Sequence, residues 1–131
     1  MIGIDTNVLV RYFQQDDPVQ SAKANAFMES LSAEHPGYIS LITLVETVWV
    51  LTRKFQMDRV AIAQLLESLL RVREVMVEHR NTVHGALTLF RNSKIGFSDC
   101  LIQQLGNVAG CEHTVTFDRD AAKSIGMRLL R

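Results

Sequence analysis

The run Ile2-Gly3-Ile4-Asp5-Thr6-Asn7-Val8-Leu9-Val10-Arg11-Tyr12-Phe13 decides the fold class. Its opening is a short apolar stretch, Ile2 to Asp5, that closes on an acid. Val8, Leu9, Tyr12 and Phe13 then recur at helical spacing, with Thr6 as the expected N-cap. A strand therefore passes directly into a helix, and the same alternation continues outward. Asp17-Pro18-Val19-Gln20 places an acid at the N-cap, proline at the first helical position and Gln at the capping-box position, predicting a helix to about Ala33 that Pro36-Gly37 ends. Tyr38 to Ser40 reads as a second strand, and Leu44, Val45, Val48 and Leu51 as a helix to Lys54. Asp58 caps a helix through Leu70, Val75 to Val77 is a third strand, and His79 to Asn92 a helix. Ser98 is expected to cap a helix that stops near Gly110. His113 to Phe117, β-branched and aromatic, reads as a fourth strand, followed by a brief helix from Arg119 to Ser124 and a terminal strand from Met127 to Leu130. Repeated β-α with short buried strands predicts an α/β fold, a central parallel sheet of about four to five strands flanked by helices on both faces.

Composition narrows the classes further. The chain has 131 residues, 47% apolar and 21% charged, a balance that suits one globular domain over residues 1–131. With only Pro18 and Pro36 as proline punctuation, no repeat and no low-complexity stretch, no domain boundary is expected. Cys100 and Cys111 form no CxxC pair and have no histidine at ligand spacing, which predicts free thiols in a reducing compartment and no zinc. Asp5 interrupts the apolar start and no basic segment precedes it, so a cytoplasmic location is expected. The most apolar stretch, Ile39 to Leu51, is broken by Ser40, Thr43, Glu46 and Thr47, so no membrane span is expected. Lys plus Arg and Asp plus Glu each count 14, so no global positive field exists and any nucleic-acid binding must be local.

In parallel sheets ligands collect beyond the carboxyl ends of the strands. The polar residues that follow the strands here are acids. Asp5 ends the first strand, Glu46 lies in the first turns after the second, Asp99 opens the helix leading into the fourth, and Asp118 ends the fourth. Gathered on one edge, such carboxylates repel, each pair at about 4 Å by roughly 4 kcal/mol at an effective dielectric of ~20. Hard divalent cations such as Mg²⁺ or Mn²⁺ would neutralise them, keeping waters and leaving positions for phosphate oxygens. A metal in that position polarises a phosphoryl oxygen and activates water, which phosphodiester hydrolysis needs when no histidine base is at hand. Taken singly, Asp5, Asp99 and Asp118 also read as helix N-caps. Glu46 is harder to explain structurally, because Leu44, Val45, Val48 and Trp49 surround it with apolar positions.

Ile4-Asp5-Thr6-Asn7-Val8-Leu9, Leu44-Val45-Glu46, Phe97-Ser98-Asp99-Cys100-Leu101-Ile102 and Thr116-Phe117-Asp118-Arg119-Asp120, in that order, resemble PIN-domain nucleases from end to end. The length and the opening segment are similar to the VapC-type toxins of bacterial toxin-antitoxin pairs. The resemblance implies that Asp5, Glu46, Asp99 and Asp118 are the metal-binding acids. Asp5 and Asp99 would be the core ligands, and Asn7 and Thr116 the polar residues that orient the site. It implies a PIN-like fold, Mg²⁺ or Mn²⁺, an RNA substrate with tRNA among the candidates, a VapB-type antitoxin partner and a homodimer. Ala121 departs from the pattern, standing where the family often has an aromatic residue.

Asp120 is an alternative to Asp118, although as a first-turn acid it suits the helix dipole; Asp16 and Asp17 read as capping residues. His35, His79, His84 and His113 show no pairing suited to acid-base cleavage. Tyr12, Phe13, Phe27, Trp49, Phe55 and Phe90 fall at spacings typical of core or interface, and Cys100 reads as a packed thiol. With the four acids masked by metal the remaining chain is net positive. Arg11, Arg53, Lys54, Arg91, Lys94 and Arg119 flank the acidic motifs, Lys94 and Arg119 being the favoured phosphate contacts. Two other functions compete. A catalytically silent partner-binding protein would not need four intact acids. An aspartate-based phosphatase or phosphotransfer domain would want a second Asp where Asn7 stands, or an acceptor Asp where Glu78-His79 stands.

Overall fold

The computed structural model describes every residue, Met1–Arg131, in two compact units, Met1–Glu78 and His79–Arg131. In the first, β1 (Ile2–Gly3), β2 (Gly37–Ile39) and β3 (Val75–Val77) form a parallel sheet in that order, with Ile2 opposite Gly37 and Gly37 opposite Val75. Parallel neighbours need crossover connections. The first is supplied by α1 (Thr6–Gln14) and α2 (Pro18–Ser30), the second by α3 (Leu41–Arg53) and α4 (Arg59–Arg71). Ile4 N donates to Tyr38 O at 2.9 Å, carrying the ladder past β1 to the threshold of Asp5. A Cβ at Gly37 would stand 2.6 Å from Ile4 Cδ1 and 3.0 Å from Leu31 Cδ1, so these side-chain ends would have to shift to admit one.

The apolar faces seen in the sequence supply this unit's core. Leu9, Ile39, Leu44, Leu51, Ile62, Leu66 and Leu70 are fully buried, and α1 packs on both α2 and α3. Asp17 caps α2 as expected, accepting from Val19 N at 3.1 Å and Gln20 N at 3.0 Å, with Pro18 at the first position. The Gln20 side chain does not close a capping box, because its Oε1 accepts from Arg11 Nε at 2.7 Å. Helix α2 stops at Ser30, short of Ala33, because Ser32 and His35 close a turn of their own (Ser32 N to His35 O 3.2 Å, His35 N to Ser32 Oγ 3.1 Å). Asp58 caps α4 through Ala61 N at 2.8 Å.

The second unit contains α5 (Arg80–Arg91), α6 (Phe97–Ala109), β4 (Val115–Thr116), α7 (Arg119–Ser124) and β5 (Arg128–Leu129). Helices α5 and α6 pack together, with Phe90 and Phe97 edge to face at 6.0 Å and an 87° interplanar angle. Ser98 is not the cap of α6; Gly96 is, with extended backbone, which starts the helix at Phe97 and seats that ring, 3% exposed, in the core. Gly110 ends α6 at φ +88°, the left-handed cap that glycine adopts without strain. Strand β4 pairs with β5, Val115 opposite Arg128. The fold is α/β with parallel strands as expected, but the strands are divided into ladders of three and two instead of one sheet of four to five. No helix is long and apolar enough to cross a membrane.

Candidate active site

Asp5 stands where β1 becomes α1. It, and not Thr6, is the N-cap: its Oδ1 accepts from Thr6 N at 2.8 Å, and its backbone is extended at φ −83°, ψ 159°. Thr6 is thereby the first helical residue, and its hydroxyl, buried beneath the surface, donates to Glu46 Oε1 at 2.9 Å. One residue thus ties together two exposed carboxylates 41 positions apart in the chain. Each bond engages one carboxylate oxygen, Oδ1 of Asp5 and Oε1 of Glu46. Asn7 is exposed in the first turn of α1 and lines an apolar groove with Ile4, Val8 and Phe27. Asp16 pairs with Arg11 at 3.1 Å and Asp17 caps α2, so both acids have structural roles.

Helix α3, which carries Glu46, is anchored at its start by two groups. Ser40 Oγ accepts from Thr43 N at 3.2 Å. Glu78, the residue after β3, accepts from Leu41 N through Oε1 at 2.9 Å. Sequence reasoning used Glu78 only against a phosphotransfer domain and missed this anchoring role. Its position immediately after a strand was the available signal. Partial burial, and then the charge and hydrogen bond of Glu78, hold the Tyr38 phenol above its ordinary value of 10.0. That contribution to folding is complete below pH 10 and is lost as the phenol ionises at higher pH.

The other two acids belong to the second unit. Asp99 is half-buried in the first turn of α6, where no side chain caps the helix and the positive end of its dipole favours a negative charge. Asp118 is exposed and caps α7, its Oδ1 accepting from Asp120 N at 2.8 Å and Ala121 N at 3.2 Å. Thr116 Oγ1 in turn accepts from Asp118 N at 3.0 Å, which fixes the turn that presents this acid. Asp120 is an exposed first-turn acid, and Ala121 is buried, 1% exposed, where a ring would need more room. Lys94 and Arg119 are exposed. Gln103, one turn after Asp99, was not singled out in the sequence. It is buried, and its Oε1 has no hydrogen-bond partner, which is costly for an amide carbonyl.

No three His, Cys, Asp or Glu side chains are gathered in an arrangement that would hold a metal ion. What the structure brings together is the pair Asp5 and Glu46. The donor set nevertheless fits a hard divalent cation. Mg²⁺ keeps several of its waters and is bound through one or two carboxylates, and two exposed carboxylates, one bonded to the backbone N–H and the other to the hydroxyl of Thr6, offer that.

A parallel α/β chain with acids following its strands defines the class, and comparison with known families agrees: the PIN domain matches residues 2–125. The chain belongs to the PIN domain family, whose members are generally nucleases that use divalent metals. A search of curated proteins finds no match. Among solved structures the chain is similar to one described as a toxin-antitoxin complex from Klebsiella pneumoniae, at 19% identity and a TM-score of 0.40, over 100% of this chain and 97% of that one.

Proposed function

We propose that the two units act together as one PIN domain, a Mg²⁺- or Mn²⁺-dependent endoribonuclease that serves as the cytoplasmic toxin of a toxin-antitoxin pair. The observation that carries the nuclease reading is the Asp5–Thr6–Glu46 link, in which a buried hydroxyl orients one of two exposed carboxylates. Asp5 and Asp99 are the core ligands in this reading, with Glu46 and Asp118 binding the ion directly or through water. Asn7 and Thr116 orient the site, and Lys94 and Arg119 contact phosphates. A bound divalent cation would polarise the scissile phosphoryl group and activate water for in-line attack. The protein's own part is to aim the carboxylates. Thr6 steadies Glu46, Glu78 and Ser40 fix the start of the helix that bears it, and Thr116 fixes the turn before Asp118.

The test is incubation of the purified chain with total cellular RNA. Cutting with Mg²⁺ or Mn²⁺ and none with EDTA is expected; intact RNA under every metal condition would favour the silent partner-binding alternative. Thr6→Val keeps the shape and removes the donor. Cleavage should fall about tenfold as the carboxylate loses its aim, while the melting temperature should fall by only a few degrees, since the exposed Glu46 carboxylate regains water on losing a bond worth about 1 kcal/mol to folding. Full activity of that variant would remove the orienting role.

The toxin assignment rests on the resemblance of the opening segment and length to VapC-type toxins, and it implies a homodimer and a VapB-type antitoxin. Inhibition is best served by an arginine entering the acidic cluster. Its planar fork pairs with carboxylates bidentately and competes with the divalent ion for the same oxygens, whereas lysine offers a point charge.

A further inference from the structure

Phe117 is the most exposed large apolar side chain of the protein, at 80%, and it sits between Thr116 and Asp118. We propose that Phe117 is a stacking platform for one unpaired base of the nucleic-acid substrate, with Arg119 and Arg131 receiving the phosphates on either side. This rests on the nuclease reading and adds to it the residue that grips the strand next to Asp118.

Three observations support the assignment. The first is cost. A phenylalanine left in water forgoes roughly 1.5–3 kcal/mol of burial, and no other large apolar side chain here is displayed as fully. The second is rigidity. The backbone on both sides is held, by Leu130 N donating to Thr116 O at 2.8 Å, by Asp118 N donating to Thr116 Oγ1 at 3.0 Å, and by Asp118 capping α7. A ring mounted on such a turn is pre-organised, which limits the entropy lost on stacking.

The third observation is the company the ring keeps. Phe117, Leu129 and Leu130 line one surface concavity with Arg119 and Arg131. An apolar protein partner pressed there would strip water from the guanidinium groups at a cost that only carboxylates on the partner could offset. A single strand supplies both needs at once, a flat π-face for the ring and phosphates for the arginines. Stacking tolerates every base, so the platform contributes affinity and register without reading sequence.

The test is equilibrium binding of a labelled single-stranded RNA oligonucleotide, followed by fluorescence anisotropy in EDTA, with the full chain carrying Phe117→Ala, Phe117→Tyr or Phe117→Trp. The alanine variant should bind about tenfold more weakly, tyrosine and tryptophan should restore binding, and the melting temperature should be unchanged in all three. An oligonucleotide with abasic sites should bind the native chain as weakly as the ordinary one binds the alanine variant. Equal binding by the native and alanine chains would overturn the platform while leaving the nuclease reading intact. Failure of the native chain to bind or cut any single strand would remove both. Unchanged RNA binding with loss of association to a protein partner in the alanine variant would make the patch a protein-docking surface and overturn the proposal.

Discussion

Asp5→Asn and Asp99→Asn should each lower RNA cleavage on the order of 100-fold or more while the protein remains folded. A carboxylate that holds a divalent ion contributes several kcal/mol of transition-state charge stabilisation, and each 1.36 kcal/mol is tenfold in rate. Asparagine separates charge from structure at position 5, because it caps helices as well as aspartate does and can still accept from Thr6 N. Melting without metal should be unchanged or higher, since the repulsion between Asp5 and Glu46 is relieved. Asp5→Ala would mix in a lost cap worth about 1 kcal/mol. Circular dichroism melts beside rate measurements check both halves, and undiminished cleavage by both asparagine variants would dismiss these acids as ligands.

Leu9→Ala is expected to have the opposite signature, a large loss of stability from a residue that touches no substrate. Leu9 is fully buried on the inward face of α1, the helix that Asp5 caps and Thr6 begins. Removing its isobutyl group should cost about 2–5 kcal/mol through lost transfer energy and the cavity left behind. The melting temperature should fall by about 10 °C or more. Val19→Ala, at an exposed position on α2, should stay within about 0.5 kcal/mol of the native protein. A Leu9→Ala chain as stable as the Val19→Ala chain would mean that α1 is not packed as described.

How much could be read from the sequence depended on how local the cause was. The Asp17-Pro18 start of α2, the Asp58 cap, the Val75–Val77 strand and the Gly110 stop each depend on a few adjacent residues and are found within a residue or two of their expected places. Two helix starts were misplaced for one reason. At Thr6 and Ser98 a residue with good capping chemistry lies inside the first turn, and the boundary is set instead by Asp5 and by the burial of Phe97. The division of the strands was not legible either, because β4 and β5 have two residues each and a run that short carries no periodicity.

The acids of the candidate site were legible as residues that follow strands or open helices. Their connections were not. The Thr6–Glu46 bond spans 40 positions and the Glu78–Leu41 bond 37, and a single sequence has no signal for such pairings. Phe117 and Gln103 escaped notice because their exposure and their missing partner are properties of the folded chain.

The central claim is hydrolysis by metal-activated water held among these carboxylates, and the chemistry of the cut ends tests it most directly. A defined RNA oligonucleotide is incubated with the protein in Mg²⁺ and in EDTA, and the fragment ends are identified by mass spectrometry. In-line attack by water on phosphorus predicts 5′-phosphate and 3′-hydroxyl ends, formed only with metal. Cyclic 2′,3′-phosphate ends that also form in EDTA would contradict it, because the 2′-hydroxyl would then be the nucleophile and the histidines set aside here would become the candidates for its base.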